Sequence, residues 1–175
     1  MSFRVASLGK IGPERSSFTR REAESAPMPG SMRPTGPSVR PMALIDVPDV
    51  LALWRSTPGI GLSNADSAPA LANFFARNAD LSLVVVLPNG LVVAAVLCGH
   101  DGRRGFLYHL AVAEGHRRQG FARLLVNGCL ERLARLGVEK CSVHLFDDNE
   151  DGRAFWLHNG WSERGDLRVL QRPTG

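Results

Sequence analysis

The sequence predicts an α+β protein in which helices cover both faces of one sheet. Apolar, β-branched runs first follow one another directly, and later segments alternate in the order strand, helix, strand, helix, strand. The strongest helical signal is the amphipathic segment 116–136, whose leucines recur at helical spacing. An apolar run at 107–112 precedes it, so the central unit is a strand, a turn and a helix.

Residues 1–37 differ in composition from the rest of the 175-residue chain. They are rich in Ser, Arg, Pro and Gly and lack apolar periodicity, so they bury too little apolar surface to offset chain entropy. We expect a disordered extension over 1–37 and one folded domain over 38–175. Two alternatives stay open, namely translation from Met32 and a tail that binds an acidic partner.

The net charge of +4 comes from the N-terminal segment. Residues 1–40 hold seven Lys and Arg against three Asp and Glu, whereas residues 41–175 hold 14 of each kind. The predicted domain therefore has no bulk charge that favours nucleic acid, and we expect none as a partner.

Three further observations concern compartment and metals. No apolar run approaches the roughly 20 residues of a membrane span, so no membrane partner is expected. The start of the chain also lacks a secretory h-region. The three cysteines are scattered through apolar segments without metal-ligand spacing. Reduced, buried thiols in a cytoplasmic protein that needs no metal are the resulting prediction.

The first half of the predicted domain contains two helices and three strands. An extended piece from Ser38 leads to a helix that Asp46 caps, and a second helix over 68–78 follows a Gly- and Pro-containing loop. Strands are predicted over 81–87, 91–98 and 106–112, the first two joined as a hairpin by the turn Pro-Asn-Gly.

The second half begins with the amphipathic stretch 116–136, in which the helix should start at Gly120 and end at Gly137. A strand is predicted over 140–146 and a short helix over 153–159. The closing segment 161–172 is predicted as one strand or a pair of strands.

The turn before the long helix has the properties of a phosphate site. Gly120 lies where the helix should begin, and the first N–H groups of a helix have no intrahelical partners. Arg117 and Arg118 add positive charge there. The chain has neither a Walker-type loop nor a Gly-x-Gly-x-x-Gly motif. From this turn alone, a phosphate site and a plain strand–helix turn both remain open.

Two segments carry a resemblance to a known family. Arg117-x-x-Gly120-x-Ala122 resembles the Gln/Arg-x-x-Gly-x-Gly/Ala signature of the GNAT superfamily of acyl-CoA-dependent N-acyltransferases. The segment 149–161, NEDGRAFWLHNGW, resembles the family's Asn-x-x-Ala-x-x-Phe-Tyr-x-x-x-Gly-Phe. The resemblance covers 38–175 and implies a mostly antiparallel, twisted sheet of about six to seven strands.

The resemblance also implies the activity. An N-acetyltransferase of this family moves the acetyl group of acetyl-CoA to a primary amine by direct attack, so acetyl-CoA and an amine acceptor are the expected partners. A homodimer is left open. In the family, the strand before the phosphate turn splays from its neighbour, and the pantetheine arm pairs with its backbone. The cofactor-binding residues implied are Leu110, Ala111, Val112, Arg117, Arg118, Gln119, Gly120, Phe121, Ala122, Asn149, Phe155 and Trp156.

The chain departs from the family pattern where the chemistry would occur. Trp156 replaces the Tyr that commonly protonates the leaving thiolate, and an indole N–H donates hydrogen bonds but is not a usable acid. Gly152 replaces an Ala. The Glu often found on the strand before the phosphate turn is missing, and Tyr108 and His109 stand there instead.

The catalytic candidates are His109, Tyr108 and His144. An imidazole can accept a proton near neutral pH, although His109 could equally serve packing alone. In the loop before the second helix, Ser63, Asn64 and Asp66 could either bind the amine substrate or form a solvated helix cap. The alternative function is a non-catalytic acyl-CoA-binding module of the same fold.

Overall fold

The computed structural model describes residues 35–174, so most of the predicted extension over 1–37 lies outside the described residues. The strands in this part are β1 Ser38–Pro41, β2 Leu83–Val86, β3 Val92–His100, β4 Gly105–Val112 and β5 Cys141–Val143. They lie in one sheet in chain order. Strands β1 to β4 pair in antiparallel fashion, and β5 runs parallel to β4.

Within the described residues, four α-helices flank the sheet: α1 Val47–Arg55, α2 Ala68–Arg77, α3 Phe121–Arg135 and α4 Glu150–His158. Proline occupies the first turn of both α1 and α2, where its missing N–H leaves no hydrogen bond unmade. None of these helices is long and apolar enough to cross a bilayer.

Two apolar cores show that the helices cover both faces of the sheet, as predicted. One core joins α3 and α4 to β3 through Leu125, Trp156 and Val93. The other core joins α1 to the opposite face of β3 through Trp54 and Ala95. Strand β3 is buried along nearly its whole length, because alternate side chains enter the two cores.

The β2–β3 hairpin is confirmed. Gly90 has φ +90° in the connecting turn, and its N–H donates to the Leu87 carbonyl at 2.9 Å. A left-handed backbone suits glycine at this position because a side chain there would be strained.

The strand count is lower than predicted. Five strands occur within residues 35–174, not six to seven, and the predicted closing strand over 161–172 is irregular. After Trp161, its apolar side chains are not buried: Leu167 and Val169 are each 61% exposed and Leu170 is 92% exposed. Alternating apolar residues therefore produced a strand pattern there without the burial that stabilises a strand.

Helix α3 begins directly after Gly120, as predicted, and the preceding 114–116 form a 3-10 turn. The other helix of the second half of the domain begins earlier than expected. Helix α4 starts at Glu150 rather than residue 153, because the Asn149 side chain caps it.

Candidate functional site

The start of α3 forms an open corner of backbone amides. Gly120 precedes the helix with φ +82°, and the first helical bond runs from the Leu124 N–H to the Gly120 carbonyl at 3.0 Å. Within residues 35–174, the amides of 118–123 donate to no backbone or side-chain acceptor at hydrogen-bond distance. A Cβ added to Gly120 would meet no atom within 4 Å. The corner can therefore accept an anion.

The arginines near this corner differ in their contacts. The Arg117 Nε donates to the Val112 carbonyl at 3.3 Å, which folds that side chain back over the end of β4. Arg118 has φ +61° and, like Gln119, is exposed. Phe121 and Ala122 are partly buried at the first turn of α3.

Strand β4 contains a bulge immediately before the corner. Ala95 of β3 faces Ala111, but Leu97 faces Tyr108, so β4 holds one residue more than β3 over this interval. His109 lies in the bulge with φ +52°. A bulge of this kind bends a strand and redirects a side chain.

Strands β4 and β5 separate just before the bulge. Their pairing ends at Leu107 and Val143, and the residues after Val143 form no strand. Beyond Leu107, β4 therefore has no strand partner on its β5 side within the described residues. Leu110, Ala111 and Val112 lie on this separated part of β4, so an extended molecule could pair with the backbone there.

A carboxylate and an imidazole meet beside the bulge. The Nε2 of His109 lies 2.7 Å from Oδ1 of Asp66, across 43 residues of sequence. Asp66 is 7% exposed, and the His109 side chain is 17% exposed. The Trp54 ring packs on the imidazole with centroids 4.9 Å apart. Asp66 and His109 were both candidates from the sequence, but their pairing was not predicted.

The loop between α1 and α2 packs against the segment that joins β5 to α4. A Cβ on Gly59 would lie 2.7 Å from the Asn149 amide, and a Cβ on Gly61 would lie 2.8 Å from the Phe146 ring. The side chain of Asn149 accepts from the Gly152 N–H at 2.9 Å. Glycine at 152, where the family has Ala, therefore leaves room for this cap.

The two aromatic residues of the second motif lie in different environments. Trp156 is 5% exposed within the core and packs edge-on against Phe155 and Trp161. Phe155 is partly buried at the edge of that core. The position of the Trp156 ring favours a packing role.

Tyr108 and His144 both lie near Phe106, and His144 and Phe106 line a groove. Both rings lie about Phe106, at centroid distances of 6.2 Å for Tyr108 and 6.1 Å for His144. Burial raises the pKa of the Tyr108 phenol above its usual range. The groove has a volume of about 390 Å³ and is lined by Arg104, Phe106, Lys140, Ser142, His144, Arg164 and Leu167.

The cysteines are poor nucleophiles here. Cys98 and Cys129 are buried, and burial raises the pKa of Cys141 to about 12. The raised pKa keeps the Cys141 thiol protonated near neutral pH, whereas the thiolate is the reactive form. No group of three or more potential metal ligands gathers among the residues described.

Comparison with known proteins identifies the family. The model of the acetyltransferase (GNAT) family matches residues 48–161. An acetyltransferase of Yersinia pestis (strain Pestoides F) is 30% identical over 105 residues, which make up 60% of this chain and 73% of the relative.

Solved structures share the fold. An aminoglycoside 6'-N-acetyltransferase from Acinetobacter baumannii superposes with a TM-score of 0.65 at 17% identity, covering 80% of this chain and 100% of the other. The diaminobutyrate acetyltransferase of Paenibacillus lautus, solved with its substrate and coenzyme A, gives 0.60 at 23% identity, covering 71% and 75%. The chain is therefore a member of the GNAT family of acetyltransferases.

Proposed function

We propose that this acetyltransferase moves the acetyl group of acetyl-CoA to a primary amine by direct attack. One observation carries the proposal: the open amides at the start of α3 lie directly beyond the part of β4 that has separated from β5. The first feature suits a diphosphate and the second suits an extended chain that bears amides. Acetyl-CoA carries both groups, a diphosphate followed by an extended pantetheine arm that bears amides.

The cofactor would lie along β4 and end at the corner. Its pyrophosphate would accept from the amides of 118–123, and its pantetheine amides would pair with the backbone of Leu110, Ala111 and Val112. The Val112 carbonyl already accepts from Arg117, so that acceptor is shared or exchanged on binding. An N–H near Leu110 or Ala111 would stabilise the negative charge that develops on the thioester oxygen.

The reaction requires a neutral amine, and His109 is the proposed base. It is the partly exposed imidazole in the bulge of β4. Tyr108 and His144 are the remaining candidates for returning a proton to the CoA thiolate. A phenol is protonated at neutral pH, so Tyr108 can donate. Burial raises its pKa further.

Direct attack is favoured over a covalent acetyl-enzyme. A covalent route needs an activated nucleophile such as a thiolate. Cys98 and Cys129 are buried, and the raised pKa of Cys141 keeps its thiol protonated. The three free thiols also support a cytoplasmic location, where cysteines stay reduced.

The charge of the groove beside Tyr108 bears on the acceptor. Arg104, Lys140 and Arg164 line it, and Arg164 pairs with Asp166 at 2.7 Å. The other two cations of the groove, Arg104 and Lys140, have no acidic partner within residues 35–174. A polycationic amino sugar, the acceptor named for several structural neighbours, would be repelled. We expect amines that carry an anionic group to be preferred.

A domain boundary at residue 38 belongs to the same proposal. Strand β1 begins at Ser38 and pairs with β2, so the sheet requires the chain from this residue onward. We propose residues 38–175 as the acetyltransferase domain. A chain truncated to 38–175 should keep its affinity for acetyl-CoA.

The proposal is tested by calorimetry with acetyl-CoA on Gly120→Glu. A carboxylate at the corner should repel the pyrophosphate and abolish measurable binding. Gly137→Glu is the matched control, because Gly137 has φ +76° at the other end of α3 and is equally open. The proposal fails if both variants bind acetyl-CoA like the wild type.

The alternative is a non-catalytic acyl-CoA-binding module. The missing Glu on β4 and the buried Trp156 are the observations that favour it. An amine panel separates the two functions, since the module binds acetyl-CoA and releases no free CoA with any acceptor.

A further inference from the structure

The carboxylate of Asp66 has two separate tasks. Its Oδ2 accepts from the Ser63 N–H at 2.8 Å and from the Ser63 hydroxyl at 3.3 Å, which closes the 3-10 turn Asn64–Asp66. Its Oδ1 lies 2.7 Å from the His109 Nε2. Because the turn fixes one oxygen, the other is held in place for the imidazole.

The imidazole is held from three sides. The bulge in β4 gives His109 its left-handed backbone, at φ +52°. This conformation is strained for a non-glycine residue and tends to occur where function requires it. Trp54 is fully buried and packs on the ring, and Asp66 binds Nε2.

This arrangement selects one tautomer. An ionised carboxylate only accepts hydrogen bonds, so the His109 Nε2 must carry the hydrogen that Asp66 receives. In the neutral ring, the lone pair then belongs to Nδ1. Within residues 35–174, the His109 Nδ1 has no hydrogen-bond partner.

We propose that Asp66 is a positioning residue that makes Nδ1 of His109 the base of the reaction. The proposal rests on the N-acetyltransferase function above. The Nδ1 lone pair takes a proton from the acceptor ammonium, and the neutral amine then attacks the thioester carbonyl. The C–N bond forms as the C–S bond breaks. Of the two protons that the nitrogen loses, one reaches the CoA thiolate and His109 returns the other to solvent.

Asp66→Asn tests this directly. The Ser63 N–H needs an acceptor, so the Asn carbonyl should turn toward Ser63 and its NH₂ toward His109. An NH₂ group facing Nε2 forces the hydrogen onto Nδ1, which removes the base. We expect kcat to fall by about 10²–10⁴-fold, the range that general-base catalysis supplies. The dissociation constant for acetyl-CoA should not change.

Nitrogen-15 NMR of histidine-labelled protein reads the tautomer without any turnover assay. Spectra recorded at alkaline pH, where an imidazole is neutral, should show the wild-type His109 hydrogen on Nε2 and the Asp66→Asn hydrogen on Nδ1. This tautomer measurement needs no amine acceptor, so it remains valid even if the chain proves to be a non-catalytic binding module. A wild-type His109 with its hydrogen on Nδ1 overturns the proposal, whatever the kinetics.

Asp46→Asn is the matched control. Asp46 is also buried and closes an equivalent 3-10 turn by accepting from the Ala43 N–H at 2.8 Å, but its partner is Arg40 rather than a histidine. This variant should lose stability and keep both the His109 tautomer and kcat. An equal loss of kcat in both variants would reduce Asp66 to a structural cap and overturn the proposal.

Discussion

The corner at Gly120 and the pair Asp66–His109 are the two halves of the proposed site, and they are built differently. The corner uses main-chain amides from six consecutive residues at the start of α3. The pair uses side chains that lie 43 residues apart and meet only because β4 bulges. A backbone site formed by consecutive residues can be recognised as a sequence motif, whereas a site formed by tertiary contact between distant residues cannot.

The two halves should also separate in function. His109→Ala removes the proposed base without touching the corner, so kcat should fall about 10²–10⁴-fold, or roughly 3–5 kcal/mol in activation free energy. Acetyl-CoA affinity should stay within about twofold, in contrast to Gly120→Glu. Steady-state kinetics and calorimetry on one preparation measure both quantities. A joint loss of affinity and kcat would show that the two halves are not independent.

A smaller effect is expected at the cap of α4. In isolation, Gly→Ala within a helix stabilises by roughly 1 kcal/mol. At Gly152 the new Cβ would lie 2.7 Å from the Asn149 side-chain oxygen, which must then release its cap. Because losing a cap costs about 0.5–2 kcal/mol, we expect Gly152→Ala to give up this gain and to change the free energy of unfolding by between zero and a loss of about 1 kcal/mol. Denaturant unfolding measures it, and a variant stabilised by the full ~1 kcal/mol would contradict the geometry.

A pH-dependent effect of similar size is expected at the 3-10 turn that Asp46 closes. The hydrogen bond from Arg40, with that from Ala43, holds the pKa of Asp46 below its usual range, although burial opposes the shift. A lowered folded-state pKa contributes stability that is present above the unfolded value, near 3.9, and is lost as pH falls through the folded value.

Urea unfolding at several pH values checks this contribution. Asp46→Asn should be less stable than the wild type at pH 7, by about 1 kcal/mol for a partly exposed pair. The difference should shrink as the pH drops below about 4. A difference that stays constant from pH 7 to pH 3 would show that the carboxylate charge contributes nothing.

The same contrast explains how far the sequence could predict the structure. The hairpin around Gly90 and the turn at Gly120 were predicted because glycine and apolar runs specify them locally. The bulge at His109 carries no local signal, since it depends on how β4 aligns with β3. The strand over 161–172 was predicted wrongly because alternation does not supply a buried face, and Leu170 is exposed.

Amide NMR during titration with acetyl-CoA tests the central claim most directly. If the amides at the start of α3 bind the pyrophosphate, the resonances of 119–123 should shift strongly and saturate with ligand, while that of Gly137 at the far end of the helix stays in place. Saturable binding that leaves the resonances of 119–123 unmoved would contradict the account.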